Sequence, residues 1–144
     1  MKVLRVIFKI AVAVGGVLTL IVGVSIYTGK LARPIAWRFP QGYRGWVVVN
    51  FQNPSCPALV KDGLYWVIPV SASGRGCTSA PFPEGWRLNR YEYVDSLGRQ
   101  TRLRADGWKT DSMVWPFAVN REKNEWYLFV GTEPEFRRSG KQPR

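Results

Sequence analysis

The stretch FPQGYRGWVVVNFQNPSCPAL, residues 39–59, decides the fold. It passes from Pro-Gly punctuation into Trp46-Val47-Val48-Val49 and stops at Asn53-Pro54 and a proline-framed Cys56. Aromatic and β-branched side chains suit a pleated, half-buried surface, so the run reads as a core strand. Gly42 and Gly45 read as turn or bulge positions. Pro54 and Pro57 stiffen the chain on either side of Cys56.

The same grammar continues downstream. Asp62-Gly63 signals a tight turn ahead of LYWVIPV. Residues 71–86 are rich in Gly, Ser and Pro and read as loop, with a short strand at Cys77. LNRYEYVDSLGRQTRLRA reads as a hairpin around Asp95 and Gly98, with Tyr91 and Tyr93 on one face and Glu92 and Val94 on the other. SMVWPFAV and EWYLFVG form a further pair, and Pro116 marks an edge position or a bulge. Six or seven short strands predict an all-β fold, a small antiparallel β-sandwich. A partly open barrel is the alternative.

Upstream, Ile10–Tyr27 hold eighteen positions without a charge, behind Lys2, Arg5 and Lys9. That length fits one N-terminal transmembrane helix, which needs about 20 apolar residues. Gly23-Val24-Ser25 also has the spacing of a signal-peptidase site, so a cleaved signal stays open. No cysteine closely follows the run, so a lipid-anchor signal is not expected. Lys30, Arg33, Arg38 and Arg44 lie beyond it, so flanking charge does not decide orientation. The expected organisation is an anchor or signal over 1–28, a linker over 29–38, the sandwich over 39–131 and a disordered basic tail over 132–144. Trp37 is expected at the membrane interface.

Cys56 and Cys77 are the two cysteines of the chain. An even number in a small exported domain predicts a disulfide, which also places the domain in an oxidising compartment. Two buried free thiols are the alternative. Removing Lys2, Arg5 and Lys9 from the 21 basic residues leaves 18 against 10 acidic ones, a surface drawn to anions. An ordinary set of solvated arginines explains the same composition.

The residues exclude several chemistries. There is no histidine, which removes Ser-His-Asp and Cys-His arrangements, and two cysteines do not fill a zinc site. Glu92, Asp95, Asp106 and Asp111 are the candidate carboxylates for acid–base work, but they fall in turns or on polar faces. SGRGCT lacks the ending and the helix of a phosphate loop. Trp46, Trp66, Trp115 and Trp126 read as core. Trp86 with Arg87, and Trp108 with Lys109, fall in glycine-rich loops and are the candidate partner-binding residues. Interleaved arginines and tyrosines in NRYEYVDSLGRQTRLR suggest a nucleic-acid surface, but an exported location and a solvated arginine face are the favoured reading.

FPQGYRGWVVV, NPSCPAL, DGLYWVIPVSASG and YEYVDSLGR together resemble a group of small bacterial cell-envelope proteins. These share an uncharacterised domain opening on Pro-x-Gly-Tyr-x-Gly-Trp-Val, here Pro40, Gly42, Tyr43, Gly45, Trp46 and Val47. The resemblance covers about residues 39–131 and implies an exported bacterial domain with no assigned activity.

The expectation is therefore a non-enzymatic, single-pass protein of the bacterial inner membrane. Its C-terminal domain lies in the periplasm and binds a protein or an anionic envelope partner. No cofactor, metal or nucleic acid is expected. A toxin-immunity protein and a glycan- or lipid-headgroup-binding module are the alternatives.

Overall fold

The computed structural model describes residues 2–27, 33–85, 87–105 and 111–140, with helical side chains near the N-terminus described for Ile7 and Ile10–Val24. The chain divides into two compact units, Met1–Ala32 with Pro83–Arg87, and the remainder.

In the first unit, α1 spans Lys2–Tyr27. Its described hydrophobic side chains are exposed, Leu20 the most at 69%. Among the described residues no helix is long and apolar enough to cross a membrane. The side chains described in α1 stop short of the full uncharged run.

Among its described residues the second unit has nine strands. They are β1 (Ile35–Pro40), β2 (Gly45–Asn50), β3 (Val60–Asp62), β4 (Tyr65–Pro69), β5 (Arg75–Cys77), β6 (Asn89–Val94), β7 (Gln100–Arg102), β8 (Val114–Asn120) and β9 (Glu125–Val130). A five-stranded sheet has the order β3-β4-β1-β6-β7, and a four-stranded sheet the order β5-β2-β9-β8. Side chains alternate across each strand, so one face of each sheet supplies the core. Ile35, Trp37 and Phe39 come from β1, Val47 and Val49 from β2, Tyr91 and Tyr93 from β6, and Leu128 and Val130 from β9. Trp37 is fully buried, stacked on Tyr91 at 6.2 Å and edge-on to Trp126 at 5.7 Å.

Three expectations need correction. The sheets are mixed rather than antiparallel: β1 runs parallel to both β4 and β6, and β2 runs parallel to β5. The turn after β1, closed by Tyr43 N–H donating to the Pro40 carbonyl with Gly42 at φ 74°, sends β2 into the other sheet. Strands adjacent in sequence therefore do not pair there, and β1 finds partners that arrive from the same end. The sheet also begins inside the expected linker. β1 opens at Ile35, and Trp37 lies in the core rather than at a membrane interface. Lastly, the expected disordered tail contains α2, Glu133–Arg138.

The local turn readings hold. β3–β4, β6–β7 and β8–β9 are antiparallel hairpins. Asp95 and Gly98 close the β6–β7 turn, and the register of β8 shifts between Pro116 and Ala118. Cys56 and Cys77 form a disulfide that ties the loop after β2 to edge strand β5. Gly74 sits at φ 76° beneath Tyr43, where an added Cβ would come within 2.3 Å of the Trp46 carbonyl oxygen. The SGRGC loop is thus closely packed at this point. Tyr43 donates its hydroxyl proton to that same carbonyl at 2.5 Å.

Candidate functional site

The outward face of the five-stranded sheet carries a cluster of charges. On β6, the residues between the inward tyrosines point away from the core, which places Arg90 and Glu92 on this face. Glu92 is 3% exposed. It accepts a hydrogen bond from Arg38 Nε of β1 at 2.9 Å and one from an Arg90 terminal nitrogen at 3.3 Å. Arg90 Nε also lies 3.0 Å from the carboxylate, as an ion pair without hydrogen-bond alignment. A carboxylate this buried requires such partners, because an unpaired buried charge costs several kcal/mol. Arg38 extends to Asp62 of β3 as well. The Arg90 guanidinium carbon stands 4.3 Å from the Tyr65 ring centroid, a cation–π contact.

The electrostatics follow from these pairings. Burial works against the Arg38 charge, but the hydrogen bonds and negative charges of Glu92 and Asp62 outweigh it and raise its pKa. The hydrogen bond from Arg38, and then its charge, hold the Asp62 carboxyl below the usual range.

β7 extends the same face. Its Arg102 stands opposite Glu92 in the ladder, yet Glu92 is already engaged by Arg38 and Arg90. Arg102 is exposed and has no ion pair among the described residues. Arg104, two residues on, pairs with Asp111 at the surface, where both side chains are more than half exposed. Beside these two arginines lies a pocket of about 410 Å³ lined by Asn89, Tyr91, Arg102, Leu103, Arg104 and Ala105. Burial pushes the Tyr91 hydroxyl up to about 12, so it stays a neutral donor. Asn89 accepts from the Trp37 indole at 3.4 Å.

The outward face of the four-stranded sheet differs in kind. Trp46 meets Phe117, Phe129 and Phe136 at centroid distances of 5.1, 5.5 and 6.0 Å. Phe136 of α2 stacks on Trp115 at 5.3 Å with the planes 7° apart. Glu135 takes the backbone N–H and the hydroxyl of Thr132, and Arg44 clamps it at 2.6 Å. Trp46 and Trp115 therefore support α2 rather than fill the inner core.

Of the residues singled out in the sequence, Trp86, Trp108, Lys109 and the carboxylate Asp106 lie outside the described residues. Arg87 is described. It donates to the Glu84 carbonyl, burial lowers its pKa, and its Nε has no hydrogen-bond partner. The structure brings together instead Arg38, Asp62, Arg90, Glu92, Arg102 and Arg104. Alternation in NRYEYV and RQTRLR was their signal, since it separates arginines from tyrosines. No group of metal-ligating residues forms among the described residues.

A model of a family of unknown function, DUF6843, matches residues 36–128. The chain belongs to the DUF6843 family. Among curated proteins nothing matches it. Its fold is similar to that of a crystal structure described as a "Putative Lipoprotein from Bacillus anthracis". The TM-score is 0.61 at 17% identity, covering 80% of this chain and 83% of the other. At that identity the likeness concerns the fold. This DUF6843 chain thus has a fold similar to that of a protein described as a lipoprotein.

Proposed function

We propose that the chain is a non-enzymatic binding domain held at the outer face of the bacterial cytoplasmic membrane. α1 anchors it, and the sandwich engages an anionic or protein partner of the envelope. The observation that carries this reading is the Cys56–Cys77 disulfide in a small domain that follows an uncharged apolar run. Disulfides persist in oxidising compartments and are rare where thiols are kept reduced. The likeness to a protein named as a lipoprotein supports the same compartment. Both cysteines are engaged with each other, so anchoring falls to the apolar helix rather than to a lipidated thiol.

Protease added to spheroplasts of cells making the full chain tests the topology. Digestion of the sandwich from outside, with α1 retained in alkali-washed membranes, is the expected result. Full protection of the sandwich in intact spheroplasts, and digestion only after lysis, would place it in the cytosol. A headgroup-binding role is favoured over an immunity role by the arginine face, because arginine forks match phosphate oxygens.

A further inference from the structure

We propose that the end of the five-stranded sheet where β1, β4 and β6 begin rests on the surface of an anionic bilayer. Leu64 and Leu88 enter the headgroup boundary there, with Arg33 and Lys61 beside them. The proposal deepens the envelope reading and rests on it for α1 as the anchor.

Topology gathers this end. β1 runs parallel to both β4 and β6, with Ile35 in register with Trp66 and Asn89, so the three strands start together. Ile35 N–H donates to the Leu88 carbonyl at 3.3 Å, and Trp66 N–H donates to the Pro34 carbonyl at 3.0 Å. Leu64 immediately precedes β4, and Leu88 immediately precedes β6. These two strands flank β1, so their starts stand about 10 Å apart. Leu64 is 80% exposed and Leu88 is 66% exposed. A single exposed leucine is ordinary, but two on neighbouring strand starts make a shared apolar tip.

Charge and reach say what covers that tip. Arg33 is exposed, and its guanidinium carbon stands 5.5 Å from the ring centroid of half-buried Trp66. Lys61 is exposed and lies opposite Trp66 in the β3–β4 ladder. Asp62, the acid of the same hairpin, is engaged by Arg38. Cations beside exposed leucines match an anionic lipid surface, which attracts Lys and Arg while apolar side chains enter the headgroup boundary. A cation stacked on an indole also suits the level at which Trp collects in membranes. Residues 28–34 join the end of α1 at Tyr27 to the start of β1 at Ile35. A link of that length reaches at most roughly 25 Å, so a bilayer holding α1 is within reach of this end. The opposite end lies about 20 Å further along the strands. Leu97, 75% exposed, tips the β6–β7 turn there, beside the paired Asp95 and Arg99.

The test uses the full chain reconstituted in vesicles of phosphatidylcholine, alone or in equimolar mixture with phosphatidylglycerol. Amide exchange is read by mass spectrometry over residues 60–66, 87–91 and 95–99. The first two segments should exchange about threefold or more slowly on the anionic vesicles, and the third should not change. Leu64→Asp combined with Leu88→Asp should abolish the slowing, whereas Leu97→Asp should leave it intact. Lys61→Glu and high salt should each weaken it without removing an apolar side chain. All four positions are exposed, so the variants should melt with the parent. Equal exchange on the two vesicles, equal slowing of 95–99, or slowing that survives the double leucine variant would overturn the docking. Retention in alkali-washed vesicles reads α1 separately. Loss of the chain from washed vesicles would sink the anchor alone, and exchange on the unwashed, vesicle-bound chain would still decide the docking. Failure to associate with either vesicle would overturn both.

Discussion

The two sheets of this sandwich present opposite solutions to the problem of an outward face. The four-stranded sheet exposes aromatic rings and covers them with its own C-terminal helix, through Phe136 on Trp115 and Trp46. The five-stranded sheet presents charge on its outward face. It buries one carboxylate, Glu92, beneath two arginines and leaves further arginines in solvent. The aromatic face gains stability from burial, whereas the charged face keeps side chains available. That division places stabilising contacts on one face and, on the function proposed above, recognition on the other.

The largest expected effect tests whether the stapled side carries stability. Replacing both cysteines with serine should cost about 3 kcal/mol, the chain-entropy value for a loop of this length. Amide exchange should then speed up in β5, which holds Cys77, while β7 remains protected. Acceleration across both sheets alike would show that the staple serves the whole sandwich.

Glu92→Ala comes next, at about 2 kcal/mol by chemical denaturation. It leaves Arg38 and Arg90 half-buried without their shared carboxylate, a loss that partial solvent exposure of the arginines moderates. A change below about 0.5 kcal/mol would mean that the cluster behaves as an ordinary surface network. Phe136→Ala should cost about 1–2 kcal/mol, less than truncation of an inner-core ring, because α2 has no fully buried residue.

The pH dependence is smaller and has two limbs. Tyr91 is raised to about 12 by burial, and Tyr43 and Tyr93 are raised in the same direction by the same cause. Their folded forms hold protons that the unfolded chain releases near 10. Stability should therefore be full below about pH 10 and fall as pH rises toward about 12. Absorbance at 295 nm should show these tyrosines ionising later than the others. At the acid end, Asp62, Asp95 and Glu135 are lowered by hydrogen bonds to Arg38, Arg99 and Thr132 respectively. Their contribution is present above about pH 4 and is lost as pH falls through their folded values. Asp62→Asn should flatten the acid limb on the charged face, and Glu135→Gln the one under α2.

Local structure was legible wherever short-range chemistry sets it. Asp62-Gly63, Asp95 with Gly98, Pro116 and the cysteine pair each dictate a turn, a bulge or a bond within a few residues. Alternation placed Tyr91 and Tyr93 on one face and Glu92 and Val94 on the other. Pairing partners beyond the hairpins were not legible. Nothing in IAWRFP states that β1 will lie parallel between β4 and β6, because that depends on the turn at Gly42 changing sheets. Proximity to the apolar run made Trp37 resemble an interfacial anchor, whereas its burial comes from Tyr91 and Trp126, more than fifty residues away. The candidate site was half legible for the same reason. Alternation gathers arginines on a face, but only the fold shows that Glu92 serves Arg38 and Arg90 and that Arg102 has no ion pair among the described residues.

The most direct test of the division between the two faces is thermal unfolding of the parent chain, Phe136→Ala and Arg102→Ala. The account predicts that Phe136→Ala, which loses the packing on Trp115 and Trp46, melts earlier, and that Arg102→Ala, an exposed residue, melts with the parent. A melt of Phe136→Ala level with the parent, or an earlier melt of Arg102→Ala, would contradict the account.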